Sequence, residues 1–142
     1  MIQLKHAINF IFFLVTLSYS QNKSCDTLET TKYIGKVSKL DDLTNNICGR
    51  NLLHDLSTIY HKRGETEKLL LTSNKLIHFS KLKSDSIHLG KGYFSKANAF
   101  RESFVVDSSF YYYNKSQKLF GEINNLKFRI KSIRRKAYLY SL

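Results

Sequence analysis

Hydrophobic and small side chains recur with helical spacing through most of this chain. Leu53, Leu56, Ser57 and Tyr60 follow the i, i+3, i+4, i+7 stripe of one helix face, and such a stripe predicts a helix with one buried side. A second stripe follows Gly64, and its members are Leu69, Ser73, Leu76 and Phe79. The pattern therefore predicts a helix, a turn near Gly64 and a second helix.

This pattern returns after forty residues. Three columns keep the spacing: Leu53, Tyr93 and Ile133; Ser57, Ala97 and Ala137; Tyr60, Phe100 and Tyr140. The second unit continues with a helix start at Asp107 and core positions at Ser109, Tyr113, Ser116 and Leu119. Antiparallel helices approach closely only where side chains are short. The columns therefore predict an all-α fold of stacked helix-turn-helix hairpins, with two repeats and a half repeat at 126–142.

Length and composition agree with one small helical domain. The chain has 142 residues, no proline and 42% hydrophobic residues, which is too short for a cofactor domain plus a substrate domain. The histidines have no cysteine or carboxylate partners at metal-ligand spacing, and neither a phosphate-binding glycine loop nor a nucleophile motif occurs. We therefore predict a protein that is not an enzyme and has no catalytic residues, no cofactor and no metal site.

The first twenty residues have the three parts of a secretory signal peptide. Lys5 precedes an apolar run of eleven residues from Ala7 to Leu17, and small residues stand before a predicted cleavage after Ser20. An uncleaved anchor is the alternative, but a membrane-spanning helix needs about twenty apolar residues. We therefore predict an exported protein of the periplasm or cell envelope of a bacterium.

The mature chain would keep two cysteines, Cys25 and Cys48. Disulfides persist in exported proteins, so a Cys25–Cys48 bridge that closes the N-terminal segment is one interpretation. Two unpaired thiols are the other.

The columns resemble the tetratricopeptide repeat, a helix hairpin of about 34 residues. Unit one, residues 50–83, carries the resemblance at Leu53, Leu56, Ser57, Tyr60, Gly64 and Leu76, and unit two, residues 90–123, carries it at Tyr93, Ala97, Phe100, Ser109, Tyr113 and Ser116. The chain departs from the family pattern by a six-residue insertion at Ser84–Leu89. We predict a repeat domain at 50–142, preceded by a lead-in segment at 21–49 with a less regular helix between Asp26 and Asn46. Irregular repeats of this kind are similar to the exported N-terminal regions of bacterial sensor kinases and transcription regulators. Because those proteins continue into further repeats and an output domain, the resemblance implies that this sequence is a truncated version of a longer protein.

The resemblance implies a protein or peptide as partner, bound in a groove that the first helix of each hairpin lines. The residues at the family's groove positions are His54, Thr58, His61, Phe94, Asn98, Arg101, Lys131, Arg134 and Tyr138. Arginine and lysine at such positions suit an acidic peptide or a free carboxylate.

Positive charge is concentrated toward the C-terminus. The net charge is +12, and the segment 127–136 contains six cationic residues and no acidic one. Contact of this segment with an anionic membrane surface is an alternative function, and a truncated remnant without function is another. Nucleic acid is not an expected partner, because the chain lacks the aromatic and zinc patterns of nucleic-acid modules and carries an export signal.

Overall fold

The computed structural model describes residues 30–34, 36 and 46–141. Five α-helices follow one another: α1 (Ile47–Arg63), α2 (Thr66–Leu82), α3 (Ser86–Glu102), α4 (Val106–Glu122) and α5 (Leu126–Tyr138). Short 3-10 helices lie at Thr30–Tyr33 and Leu139–Ser141. No strand occurs among the described residues. Each α-helix packs against the next one, and α1 also packs against α3, so the predicted all-α stack of hairpins is confirmed.

Most positions of the predicted stripes in α1, α2 and α4 are buried, but Phe79, Tyr93, Phe100 and Leu119 are only half-buried. Leu53, Leu56, Ser57 and Tyr60 of α1 are fully buried and form one cluster with Leu69 and Leu76 of α2. A second cluster joins Phe94, Ala97, Tyr113 and Leu139. The core therefore runs along the stack between successive helices.

Small polar residues mark the closest helix contacts. Ser109 Oγ donates to the Ala97 carbonyl at 2.9 Å and Ser116 Oγ donates to the Gly90 carbonyl at 3.0 Å. A side chain reaches a neighbouring helix backbone in this way only where the two helices lie close together. The small residues therefore allow close approach, as their spacing predicts.

Four turns of the same construction connect the helices at intervals of twenty residues. Gly64, Ser84, Phe104 and Asn124 all adopt a left-handed backbone conformation, with φ between 51° and 67°. At each turn the next residue donates its N–H to a carbonyl five residues earlier, for example Asp85 to Ser80 at 2.8 Å. These bonds form the Schellman motif, which satisfies carbonyls at the end of a helix. The repeat in this chain is therefore a forty-residue hairpin with a turn at every half period.

The helix bounds differ from the predicted units at the starts of α3 and α4. Ser86–Leu89 form the first turn of α3 and are not an insertion between hairpins. Asp85 begins this helix, because its Oδ1 accepts the His88 N–H at 3.0 Å. Asp107, the predicted helix start, lies in the first turn of α4, and the residue before that helix is Val105.

Some predictions fall partly outside the described residues. The signal peptide at 1–20 and its cleavage site lie there, as does most of the lead-in segment at 21–49. Of that segment, the 3-10 helix Thr30–Tyr33 packs against α1. Cys48 is disulfide-bonded, but Cys25 lies outside the described residues, so the pairing stays a prediction.

Candidate protein-binding face

The first helices of the three units meet around one aromatic ring. The ammonium groups of Lys91 and Lys131 lie 5.8 and 5.6 Å from the ring centroid of Phe128, and the His54 ring lies 6.3 Å from the same centroid. Lys131 also lies 5.0 Å from the ring centroid of Phe94. We call these five residues the Phe128 cluster. It joins α1, α3 and α5 on the side where the groove is predicted.

The two lysines of this cluster are partly removed from water. Burial lowers the pKa of Lys91, and the negative charges of Asp55 and Asp85 oppose this effect. Burial also lowers the pKa of Lys131, and the neighbouring cations Arg135 and Lys127 lower it further. Neither ammonium group forms an ion pair within the part of the chain that the structure describes. An anionic ligand would therefore be favoured here, because it would supply the missing counter-charge.

Titration of His54 should make the stability of the fold depend on pH. Burial lowers the pKa of His54 to about 3, and Lys91, His88 and Lys131 lower it as well. The folded protein therefore holds His54 in its neutral form, whereas the unfolded chain takes up a proton below pH 6.5. The stabilisation from the neutral His54 is complete above pH 6.5 and is lost as the pH falls toward 3. One pKa unit corresponds to about 1.4 kcal/mol. Lowering the pH from 7 to 5 should therefore cost up to about 2 kcal/mol of unfolding free energy through this residue.

Urea unfolding of the wild type and of the His54→Gln variant at both pH values checks this expectation. The other groups that titrate in this range are present in both proteins, so the difference between the two losses reports on His54 and its interactions. The variant should therefore lose less stability between pH 7 and pH 5 than the wild type loses. Equal losses in the two proteins would contradict the buried, neutral His54.

A second part of the predicted groove lies nearer the end of α5. Arg101 places its guanidinium carbon 5.9 Å from the ring centroid of Tyr138. Beside it is a surface concavity of about 660 Å³, lined by Lys127, Ile130, Lys131, Arg134, Arg135 and Tyr138. Four of these six residues are cationic, so the concavity extends the positive character of the Phe128 cluster along α5.

Other predicted groove residues lie elsewhere or serve the packing. Asn98 is only 3% exposed, and its Oδ1 accepts a 2.5 Å hydrogen bond from the hydroxyl of Tyr113. Burial raises the pKa of Tyr113 to about 12.

Three further groove positions differ in their surroundings. His61 is paired with the carboxylate of Glu102. Thr58 is exposed and donates to the His54 carbonyl of its own helix at 3.1 Å. Phe94 reaches the cluster but is 5% exposed.

The predicted set does not contain Phe128, the residue around which the cluster forms. In the forty-residue register Phe128 corresponds to Cys48 and His88, which share no side-chain chemistry with it. The spacing therefore carries no signal for Phe128. Its role depends on the packing of α5 against its neighbours.

Comparisons with protein-family models, with curated proteins and with solved structures find no match for this chain. Among the described residues, no helix has the length and apolar character needed to span a membrane. Within the same residues, no three His, Cys, Asp or Glu side chains are grouped as metal ligands.

Proposed function

We propose that this chain is an exported helical-repeat scaffold of the tetratricopeptide type, which binds a protein or peptide on the face formed by α1, α3 and α5. The partner would present carboxylate groups. The scaffold would serve as the sensory or interaction part of a signalling protein. Export rests on the pattern of residues 1–20, and the repeat type rests on the columns of the sequence.

One observation carries the binding proposal. The ammonium groups of Lys91 and Lys131 lie beside one aromatic ring and form no ion pair among the described residues. Burial lowers the pKa of both lysines, so their surroundings disfavour the charged form and a nearby negative charge would favour it. A carboxylate placed between them would gain two charge-assisted contacts, while the half-buried ring of Phe128 would pack against an apolar neighbour.

Binding of an acidic peptide should depend on these two lysines. The probe is a labelled synthetic peptide rich in glutamate and leucine, and titration is followed by fluorescence anisotropy. We expect Lys91→Gln and Lys131→Gln each to weaken binding about tenfold, which corresponds to about 1.4 kcal/mol. The lysine counterpart of the peptide should not bind.

Lys118→Gln is the matched control. Lys118 is on α4, its side chain is 81% exposed, and its loss changes the net charge by the same amount. If all three variants bind the acidic peptide equally, attraction to the overall positive charge explains the binding and the site on α1, α3 and α5 is wrong.

A further inference from the structure

Helix α5 has an apolar face that the described residues leave uncovered. Ile133 and Ala137 belong to the columns of Leu53 and Ser57, which are fully buried in α1. In α5, however, Ile133 is 38% exposed and Ala137 is exposed. Leu126 and Ile130 continue the same face at helical spacing and are exposed as well. We call these four residues the α5 strip.

In the first two hairpins a second helix covers these columns. Leu53 packs with Leu69 and Leu76 of α2. In the next hairpin, the hydroxyl groups of Ser109 and Ser116 in α4 donate hydrogen bonds to backbone carbonyls of α3, at Ala97 and Gly90 respectively. The register of the stack therefore fits a helix as the occupant of the α5 strip, in the position that α2 and α4 take in their own hairpins.

Cations border the strip on both sides. With 3.6 residues per turn, Lys127 and Arg134 lie along one flank of α5 and Arg129 and Lys136 lie along the other. Within the described part of the chain, the hydrogen-bond acceptors of Lys136 are the neutral side chains of Asn114 and Gln117, at 3.0 Å each. The sequence contains no acidic residue after Glu122. Charge complementarity therefore calls for a helix with carboxylates on both sides of its apolar stripe.

The same charges disfavour a second copy of this chain. A symmetric pair would bring the two strips together and with them both sets of flanking cations. Like charges held close together at an interface cost several kcal/mol. The flanking cations therefore favour an acidic helix over a second copy of this chain as the occupant.

The size of Ile130 limits what the occupant can present. Gly90 holds this register position in α3, where an added Cβ would lie 2.7 Å from Cζ of Phe120. The large Phe120 thus lies against a glycine, whereas Ile130 already fills the corresponding space in α5. In α2 the residue that corresponds to Phe120 is the small Ser80. A partner helix therefore needs a small residue at this point.

We propose that the α5 strip binds an acidic amphipathic helix of another protein, with a small residue against Ile130. The site lies beside the Phe128 cluster and shares Ile130 with the concavity along α5, but the first proposal rests on Lys91 and Lys131, whereas this one rests on the apolar contacts of Ile130 and Ile133. Each proposal can therefore fail without the other.

A peptide made from α2 provides the probe. Residues 64–84 have the stripe of a covering helix and contain Ser80. Their lysines at 68, 75, 81 and 83 are replaced by glutamate in the acidic version and kept in the control version. With the full chain as expressed, calorimetry should show the acidic peptide binding at least tenfold more tightly than the control, and circular dichroism should show added helix.

The double variant Ile130→Gln and Ile133→Gln should weaken binding of the acidic peptide at least fivefold. Leu71→Gln is its matched control, because Leu71 is an exposed apolar residue of α2, and it should have no effect. Equal binding by the double variant and the wild type would overturn the proposal.

Two further outcomes would also overturn it. Concentration-dependent dimers that disappear in the double variant would show that a second copy covers the strip. Salt-reversible binding to phosphatidylglycerol vesicles that the double variant loses, without binding of the acidic peptide, would assign the strip to a membrane surface.

Discussion

Replacing Leu53 by alanine is expected to lower the free energy of unfolding by about 2–5 kcal/mol. Leu53 is fully buried in the cluster that joins α1 to α2. Removing its side chain both loses the transfer free energy of the missing atoms and leaves a cavity. Urea unfolding followed by circular dichroism measures the difference from the wild type.

Ile133→Ala is the control, because Ile133 occupies the same column two forty-residue periods later in the stack. It is 38% exposed, so its replacement should cost less than about 1 kcal/mol. Because leucine and isoleucine have similar sizes, the comparison tests whether one column of the repeat is covered in α1 and uncovered in α5. An equal cost at the two positions would mean that the α5 strip is covered in solution at the protein concentration used.

The hairpins could be predicted because burial leaves a periodic trace in the sequence. Leu53, Ser57 and Tyr60 are spaced as one face of a helix, and all three are fully buried. The same holds for Tyr113 and Ser116 in α4. Most positions that contact a neighbouring helix are apolar or small, and this preference produces the helical spacing.

The turns were harder to predict, because their geometry comes from backbone hydrogen bonds. Only the first turn carries a glycine, Gly64. The other left-handed positions are held by Ser84, Phe104 and Asn124, which give weak or misleading turn signals. For this reason the sequence pattern predicts a second unit that begins at residue 90, whereas α3 begins at Ser86. The twenty-residue interval from Gly64 is the signal that would have placed all four turns.

The candidate site was only partly predictable for a different reason. The groove positions of a resembling family give the side of a helix, but the neighbouring helices decide whether a residue there is exposed. Asn98 and Phe94 lie on the predicted helix and are nevertheless buried. Lys131 lies on the same side and is exposed, because α5 has fewer neighbours than α3.

Replacing Asp85 by alanine is expected to lower the free energy of unfolding by about 3–5 kcal/mol. Its Oδ1 accepts a hydrogen bond from the His88 backbone N–H at the start of α3. Its Oδ2 accepts a hydrogen bond from the Nε–H group of Arg50 in α1, with 2.8 Å between the nitrogen and the oxygen. The His88 ring lies between this carboxylate and Asn51, at 2.8 Å from each. Without Asp85 the guanidinium of Arg50 would stay buried with no counter-ion, and that is the costly part of the change.

Asn125→Ala is the matched control, because Asn125 stands forty residues later and begins α5 in the same way. Its Oδ1 accepts the Phe128 N–H at 3.3 Å. The loss of such a cap costs about 1 kcal/mol. The excess cost of Asp85→Ala over Asn125→Ala therefore measures the contact between α1 and α3, and equal costs would show that Arg50 gains nothing from the pair.

Acid should remove the advantage of Asp85 over asparagine. Burial raises the pKa of Asp85, but the hydrogen bonds from His88 and Arg50 and the charge of His88 outweigh burial and hold the pKa below its usual range. The stabilisation is thus complete above the ordinary value of about 4 and is lost as the pH falls through the lower folded value. The stability gap between the wild type and Asp85→Asn, which keeps the cap, should therefore narrow steadily below pH 4. A gap that does not change between pH 6 and pH 2 would mean that the carboxylate acts through its shape and hydrogen bonds, and that its charge does not contribute.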